Sequence, residues 1–150
     1  MEFQPKDPDF EKRVRASFTR QAFMATLGAR IVSVTPGAAV LELPFNQSLT
    51  QQHGFLHAGV VAALADNACG FAALSLMPPG AAVMSVEFKI NLMAPAAGTL
   101  FRASGRVIRA GRTLTVCGAE VAATNGDQKK VVAVMQATMM SVQGRPGLSD

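Results

Sequence analysis

From Ala58 to Leu76 the chain is mostly Ala, Val, Leu and Phe, and no proline interrupts it until Pro78 and Pro79. Such residues favour helix on balance, so the pattern predicts one long buried helix that stops at the prolines. Val60, Val61, Leu64, Ala68, Phe71 and Ala72 recur at helical spacing as a core stripe, while alanines on the other sides permit close approach by a sheet or a second helix. On either side of this run the period shortens to that of a strand. Ala29 to Thr35 and Ala38 to Pro44 alternate apolar and polar around Pro36-Gly37, a turn pair, which predicts a β-hairpin. Beyond Gly80 come four strand-like runs, Val83 to Met93, Thr99 to Arg109, Thr113 to Thr124 and Lys129 to Val142. They break at Pro95 to Gly98, Ala110-Gly111 and Asn125-Gly126-Asp127. In the second run Phe101, Ala103, Gly105 and Val107 alternate with Arg102, Ser104 and Arg106, one dry face and one wet. The breaks are too short to hold helices, so the strands are antiparallel. Ahead of all this, Asp9 to Phe23 reads as an amphipathic packing helix, with Phe10, Val14, Phe18 and Gln21 on its inner side.

Hairpin, long helix, then four long strands is an α+β order that sets one apolar helix against a strongly curved antiparallel sheet of about six strands. At 150 residues a single domain over 1–150 is expected, with 1–8 and 143–150 as loose ends. Hydrophobic residues make up 49% and charged residues 16%, apolar for a small monomer, so the chain is expected to associate with copies of itself. Cys69 and Cys117 lie in apolar runs and read as buried thiols rather than a disulfide, which fits a reducing, cytoplasmic setting. Met1 to Arg20 carry charges throughout, so no signal peptide is expected. The central run approaches membrane-spanning length, but a central Asp costs roughly 2.5 to 3.5 kcal/mol on insertion scales, and Asp66 sits in its middle. No membrane partner is expected.

That aspartate is the first candidate for chemistry. Between Glu42 and Glu87 it is the sole formally charged side chain. An ionised carboxylate in such surroundings is costly unless paired or hydrogen-bonded, and burial raises its pKa. Burial alone leaves a functional and a structural role evenly balanced. What precedes it shifts the balance: His57-Ala58-Gly59 falls at the helix start, where unpaired N–H groups and the helix dipole favour developing negative charge. Nine residues separate His57 from Asp66, and at about 100° per residue they lie on roughly opposite sides of the helix. A second copy packed antiparallel brings its own Asp66 opposite the first copy's Ala58 N–H, making the site a property of a dimer.

Other chemistries find less support. His53 and His57 stand four apart, but no Glu follows His53 and Gly54 opposes helix there, so no metal site and no cofactor are expected. The chain has no G-x-S-x-G elbow, P-loop or G-x-G-x-x-G, and Cys69 has no His on its face to activate it. Between Glu87 and Glu120 every charge is positive: Lys89, Arg102, Arg106, Arg109 and Arg112. With no Trp or Tyr and a net charge of only +4, nucleic acid is not expected. Arg102 and Arg106 read as a solvated strand face, whereas Arg109 and Arg112, flanking the Ala110-Gly111 turn, are placed to meet a phosphorylated small ligand such as coenzyme A.

Leu56-His57-Ala58-Gly59, Leu64-Ala65-Asp66-Asn67, Pro95-Ala96 and Gly111-Arg112-Thr113 together resemble the hotdog-fold acyl-CoA thioesterases of the phenylacetate-pathway, PaaI-like type, over roughly Leu27 to Val142. The resemblance implies a long central helix wrapped by an antiparallel sheet, in homodimers or homotetramers. It also implies an acyl-CoA substrate hydrolysed to free acid and coenzyme A. On that reading Asp66 is general base or nucleophile, the Ala58 N–H polarises the thioester carbonyl, and Gln51 and Ser85 position water or the carboxylate. His57 supports the loop, and Gly59 belongs with Arg109 and Arg112 to the substrate-binding residues. Two positions depart from the family pattern. Gln51 stands for the usual Asn, and Ala58 for the second residue of His-Gly-Gly, although a backbone N–H survives that exchange. A thioester hydrolase and a non-catalytic acyl-CoA-binding protein of the same fold both remain open. Intact Asp66, His57 and Ser85 favour the hydrolase.

Overall fold

A computed structural model describes residues 3–150. Two short helices, α1 (Phe10–Arg20) and α2 (Ala22–Leu27), lead into the hairpin β1 (Arg30–Thr35) and β2 (Ala38–Pro44). A 3-10 turn at Gln47–Leu49 and a loop then deliver the chain to α3 (Ala58–Leu74). Four strands follow: β3 (Ala82–Leu92), β4 (Leu100–Ala110), β5 (Leu114–Asn125) and β6 (Gln128–Val142). They form one six-stranded sheet in the order β1-β2-β4-β5-β6-β3, antiparallel at every pairing. The sheet curls around α3, which touches all six strands.

The sequence pattern explains the packing. All six residues of the expected stripe on α3 are buried, and Ala65 and Ala73 are buried as well, so the helix is sunk into the sheet on more than one side. The approach is close enough that a Cβ on Gly105 in β4 would stand 2.3 Å from the Ala68 carbonyl. Only glycine fits between that strand and the helix backbone. At the other end of the helix, Ser75 Oγ donates to Ala72 O at 2.7 Å and accepts from Gly37 N–H at 2.8 Å, fastening the β1–β2 turn to the end of α3. Gly37 has φ +79°, the left-handed conformation that the second position of a Pro-Gly turn requires.

Three details depart from the sequence reading. The first helix is divided at Gln21, whose extended backbone turns the chain into α2. Arg102 is exposed on the wet face of β4 but is not free there: with Arg30 it clasps Glu42, which is only 5% exposed, its Nε donating to Glu42 Oε1 at 2.8 Å. The hydrogen bond from Arg102, more than that from Arg30, holds the Glu42 carboxyl below its ordinary pKa against the opposing effect of burial. The ends, expected to be loose, carry specific contacts. Asp7 is buried against Arg13, at 3.3 Å, and Asp150 accepts hydrogen bonds from Ser17 Oγ at 2.6 Å and Val83 N–H at 2.9 Å.

Arg13 explains why α1 lies where it does. Its guanidinium donates to the carbonyl of Leu74, the last residue of α3, at 3.0 Å, and to those of Met77 and Pro78 in the turn beyond it at 2.7 and 2.6 Å, fastening α1 to the end of the central helix.

Candidate active site

Asp66 sits halfway along α3, half-buried, on the side facing the start of β3. Ser85 Oγ reaches across and donates to Asp66 Oδ1 at 2.7 Å. The strand makes this reach beside a bulge, where the β3–β6 register slips between Ser85 and Glu87. Burial raises the Asp66 pKa above the ordinary carboxylate value, and the Ser85 hydrogen bond pulls it partly back. The two residues share the wall of a cavity of about 120 Å³ with Ser17 and Gln21 of the α1 region, Asn67 and Asp150. Sequence reasoning had given none of these four neighbours a part in the site. Two of them leave a signal in the sequence, Gln21 as a polar residue on the packing side of α1 and Asn67 as the last residue of the motif Leu64-Ala65-Asp66-Asn67.

The second group of candidates gathers at the start of α3. Leu56 N–H donates to Ala96 O at 3.0 Å and His57 N–H to Leu49 O at 2.9 Å, pinning the loop between its neighbours. His57 is the N-cap: its Nδ1 accepts from Gly59 N–H at 2.9 Å, which fixes the tautomer with the proton on Nε2. Gln51 N–H donates to Phe55 O at 2.9 Å, and the Gln51 side-chain oxygen accepts from His53 N–H. Its amide N–H groups are thereby left as donors. Ala58, the first helical residue, is exposed, and its N–H has no acceptor among the described residues. Gln51 and Ala58 line a cavity of about 510 Å³ whose other walls include Phe55, Val61, Leu92 and Met93. No ionisable side chain lines it.

The two groups do not meet within one chain. No residue lines both cavities. Ala58 and Asp66 are eight residues apart on one helix, which at 1.5 Å per residue separates them by about 12 Å along its axis. A single chain therefore presents a base without the free helix-start N–H and, elsewhere, that N–H without a base.

The remaining candidates separate as well. Arg112 lines a third cavity, of about 300 Å³, together with Lys6, whereas Arg109 is exposed outside it. Both thiols are buried and their pKa values pushed up by burial, that of Cys117 to about 12, so neither supplies a thiolate nucleophile at neutral pH. Among the described residues no helix is long and apolar enough to cross a membrane.

A half-buried carboxylate held by a hydroxyl, and a free helix-start N–H beside an uncharged cavity, are groups of the kind that acyl transfer uses. Known proteins place the chain accordingly. Residues 53–130 match the thioesterase superfamily. The human acyl-coenzyme A thioesterase 13 is 30% identical over 122 residues, 80% of this chain and 85% of that protein. A 1,4-dihydroxy-2-naphthoyl-CoA hydrolase from Listeria monocytogenes is 33% identical over 91 residues, 61% of this chain and 74% of that protein. Among solved structures, a thioesterase family protein from Silicibacter pomeroyi superposes with a TM-score of 0.89 at 49% identity, covering 90% of this chain and 99% of its own. The PaaI protein of the E. coli phenylacetic acid degradation operon superposes with a TM-score of 0.80 at 26% identity, covering 91% and 95%. The chain is thus a member of the thioesterase superfamily, with the hotdog fold and the PaaI-like arrangement of helix and sheet.

Proposed function

We propose that the protein hydrolyses acyl-CoA thioesters in the cytoplasm, in sites that two copies of the chain build together. The observation that carries this reading is the hydrogen bond between Ser85 and Asp66, which holds a carboxylate at the middle of an otherwise uncharged helix. A twofold pairing of α3 helices brings the partner's helix start toward Asp66. The exposed edge of the sheet supports such a pairing, because β3 is a terminal strand with Met84, Val86, Phe88 and Leu92 all exposed, an edge that calls for cover. A dimer, or a dimer of dimers, supplies it.

In this arrangement the thioester carbonyl oxygen lies against the free Ala58 N–H at the positive end of α3, which stabilises the oxyanion of the tetrahedral intermediate. Asp66 takes the proton of a water molecule as the water oxygen attacks the carbonyl carbon. The carbon–sulfur bond then breaks, the thiol leaves with a proton, and the acid remains. Ser85 keeps the carboxylate aimed. The Gln51 amide, its oxygen already engaged by His53, donates to water or to the carbonyl. His57 fixes the loop and Gly59 shapes it, with no metal or cofactor required. The uncharged cavity beside Ala58 takes the acyl group. Positive charge at Arg112, and more distantly at Arg109, attracts the phosphates of coenzyme A.

Thiol release from a panel of aryl and short-, medium- and long-chain acyl-CoA substrates tests the reading. The wild-type chain turns over at least one class, and Asp66→Asn lowers kcat by about 100-fold or more, the usual worth of a general base, with the fold intact. A folded Asp66→Asn variant within a few-fold of wild type contradicts it. Tight acyl-CoA binding without turnover by the wild type selects the binding-protein alternative.

A further inference from the structure

The small cavity beside Asp66 is walled on one side by Ser17 and Gln21 of the α1 region, and six of its nine lining residues are polar. At about 120 Å³ it lies well below the roughly 300 Å³ at which cavities take organic ligands, yet it has room for several water molecules. Most hydrogen-bonding groups of its wall are spent within the chain. Ser17 Oγ donates to Asp150 Oδ1 at 2.6 Å and Val83 N–H to Asp150 Oδ2 at 2.9 Å, a clasp that ties α1 to the start of β3. Ser85 Oγ donates to Asp66 Oδ1, and the Asn67 amide donates to Ala63 O at 3.0 Å. Asn67 Oδ1 has no partner among the described residues, but it is sealed off from solvent. Two groups remain that have no partner among the described residues and that water reaches, Asp66 Oδ2 and the side-chain amide of Gln21. The backbone accounts for the second. Gln21 stands at the N-cap of α2, where a polar side chain commonly bonds the first turn, and it makes no such bond. The break between α1 and α2 thus falls at a residue whose amide is left for the cavity.

We propose that Gln21 holds the attacking water against Asp66. The water donates one hydrogen to Asp66 Oδ2 and the other to Gln21 Oε1, which leaves its lone pairs free for the thioester carbonyl carbon. As the oxygen attacks, the first proton passes to Asp66 and from there to the departing sulfur. The second hydrogen stays on the oxygen and leaves with the acid. Behind the base, the cavity keeps water at hand while acyl-CoA excludes it from the front of the site. The inference rests on the thioesterase reading and adds to it a side chain from the α1 region, remote in sequence from the other groups of the site.

Gln21→Met tests this, because it removes the acceptor at nearly the same volume and breaks no hydrogen bond of the Gln21 side chain to any described residue. In the full chain kcat for hydrolysis falls about tenfold, the worth of one hydrogen bond, while KM stays within about twofold and Tm is unchanged. Methanol supplies a signature that a merely structural defect lacks. It carries a single O–H, so it gives a proton to Asp66 but has no second hydrogen for Gln21. At a fixed methanol concentration the ratio of methyl ester to free acid therefore rises about tenfold in Gln21→Met. A kcat within about twofold of wild type, or ester and acid that fall together, overturns the proposal. A crystal structure of the wild-type chain tests the cavity without any variant. A water within about 3 Å of both Asp66 Oδ2 and Gln21 Oε1 is expected, and density that shows none there overturns the proposal. If the wild type turns over no acyl-CoA the thioesterase reading fails by itself, and the crystal structure still decides whether these two side chains hold water.

Discussion

Ser85 Oγ and Asp66 Oδ1 stand 2.7 Å apart, and this hydrogen bond joins the edge strand of the sheet to the middle of the central helix. It also sets the state of the proposed base, since burial alone raises the carboxyl pKa and the serine lowers it.

A pH dependence follows. A base must be ionised, so the acidic limb of the kcat profile lies above the ordinary carboxylate range, and Ser85→Ala, by removing the lowering influence, moves it further up. Stability carries the matching sign. With the folded-state pKa raised, the native chain binds more protons than the unfolded one, so the stabilising contribution of Asp66 is fully present below its unfolded pKa. It is lost as pH rises through the folded value. Thermal unfolding therefore shows the Asp66→Asn variant gaining on wild type as pH rises through that window. An acidic limb that stays put in Ser85→Ala contradicts the assignment.

Ala58→Pro isolates the oxyanion donor. Proline is tolerated at the first position of a helix, where its missing N–H has no helical partner in any case, so α3 survives the change. The carbonyl loses its donor, and kcat falls by about 100- to 1000-fold with little change in Tm. Ala58→Gly, which keeps the N–H, keeps the activity. Equal kcat in the Pro and Gly variants shows that this N–H does not touch the reacting carbonyl.

Arg13→Ala removes the guanidinium from the Leu74 carbonyl at the end of α3 and from the Met77 and Pro78 carbonyls in the turn beyond it, and leaves Asp7 buried without its partner. The cost is about 3 kcal/mol, read from urea denaturation, and Arg13→Lys recovers only part because one ammonium cannot match the fork of a guanidinium. A change below about 0.5 kcal/mol shows that water replaces the cap.

How much of this was visible in the chain depended on the range of the interaction. The central helix was legible because its signals are local: an uncharged run, a regular stripe and a stop at Pro78, although the helix proper ends at Leu74 and a tight turn carries the chain on to the prolines. The six strands were legible for the same reason, since alternation such as Phe101 to Val107 survives intact in the burial of β4. The unexpected pairings are long-range and leave no local trace. Glu42 and Arg102 are sixty residues apart, and Ser17 and Asp150 more than twice that. Asp66 stood out because charge is absent around it, but Ser85 was known only through family resemblance, since nothing near it in sequence marks a hydroxyl aimed at a helix. The separation of the site into halves was legible from helix geometry alone, because residues on one rigid helix cannot change their spacing.

A site shared between copies requires that Asp66 of one copy work with Ala58 of another. Mixing subunits tests that directly. Asp66→Asn and Ala58→Pro are each nearly inactive alone. When the two are unfolded together and refolded in equal amounts, half the dimers are mixed and each holds one intact site, so about a quarter of the wild-type activity returns. Native mass spectrometry that finds mixed dimers, with activity no higher than that of either parent, contradicts a site shared between copies.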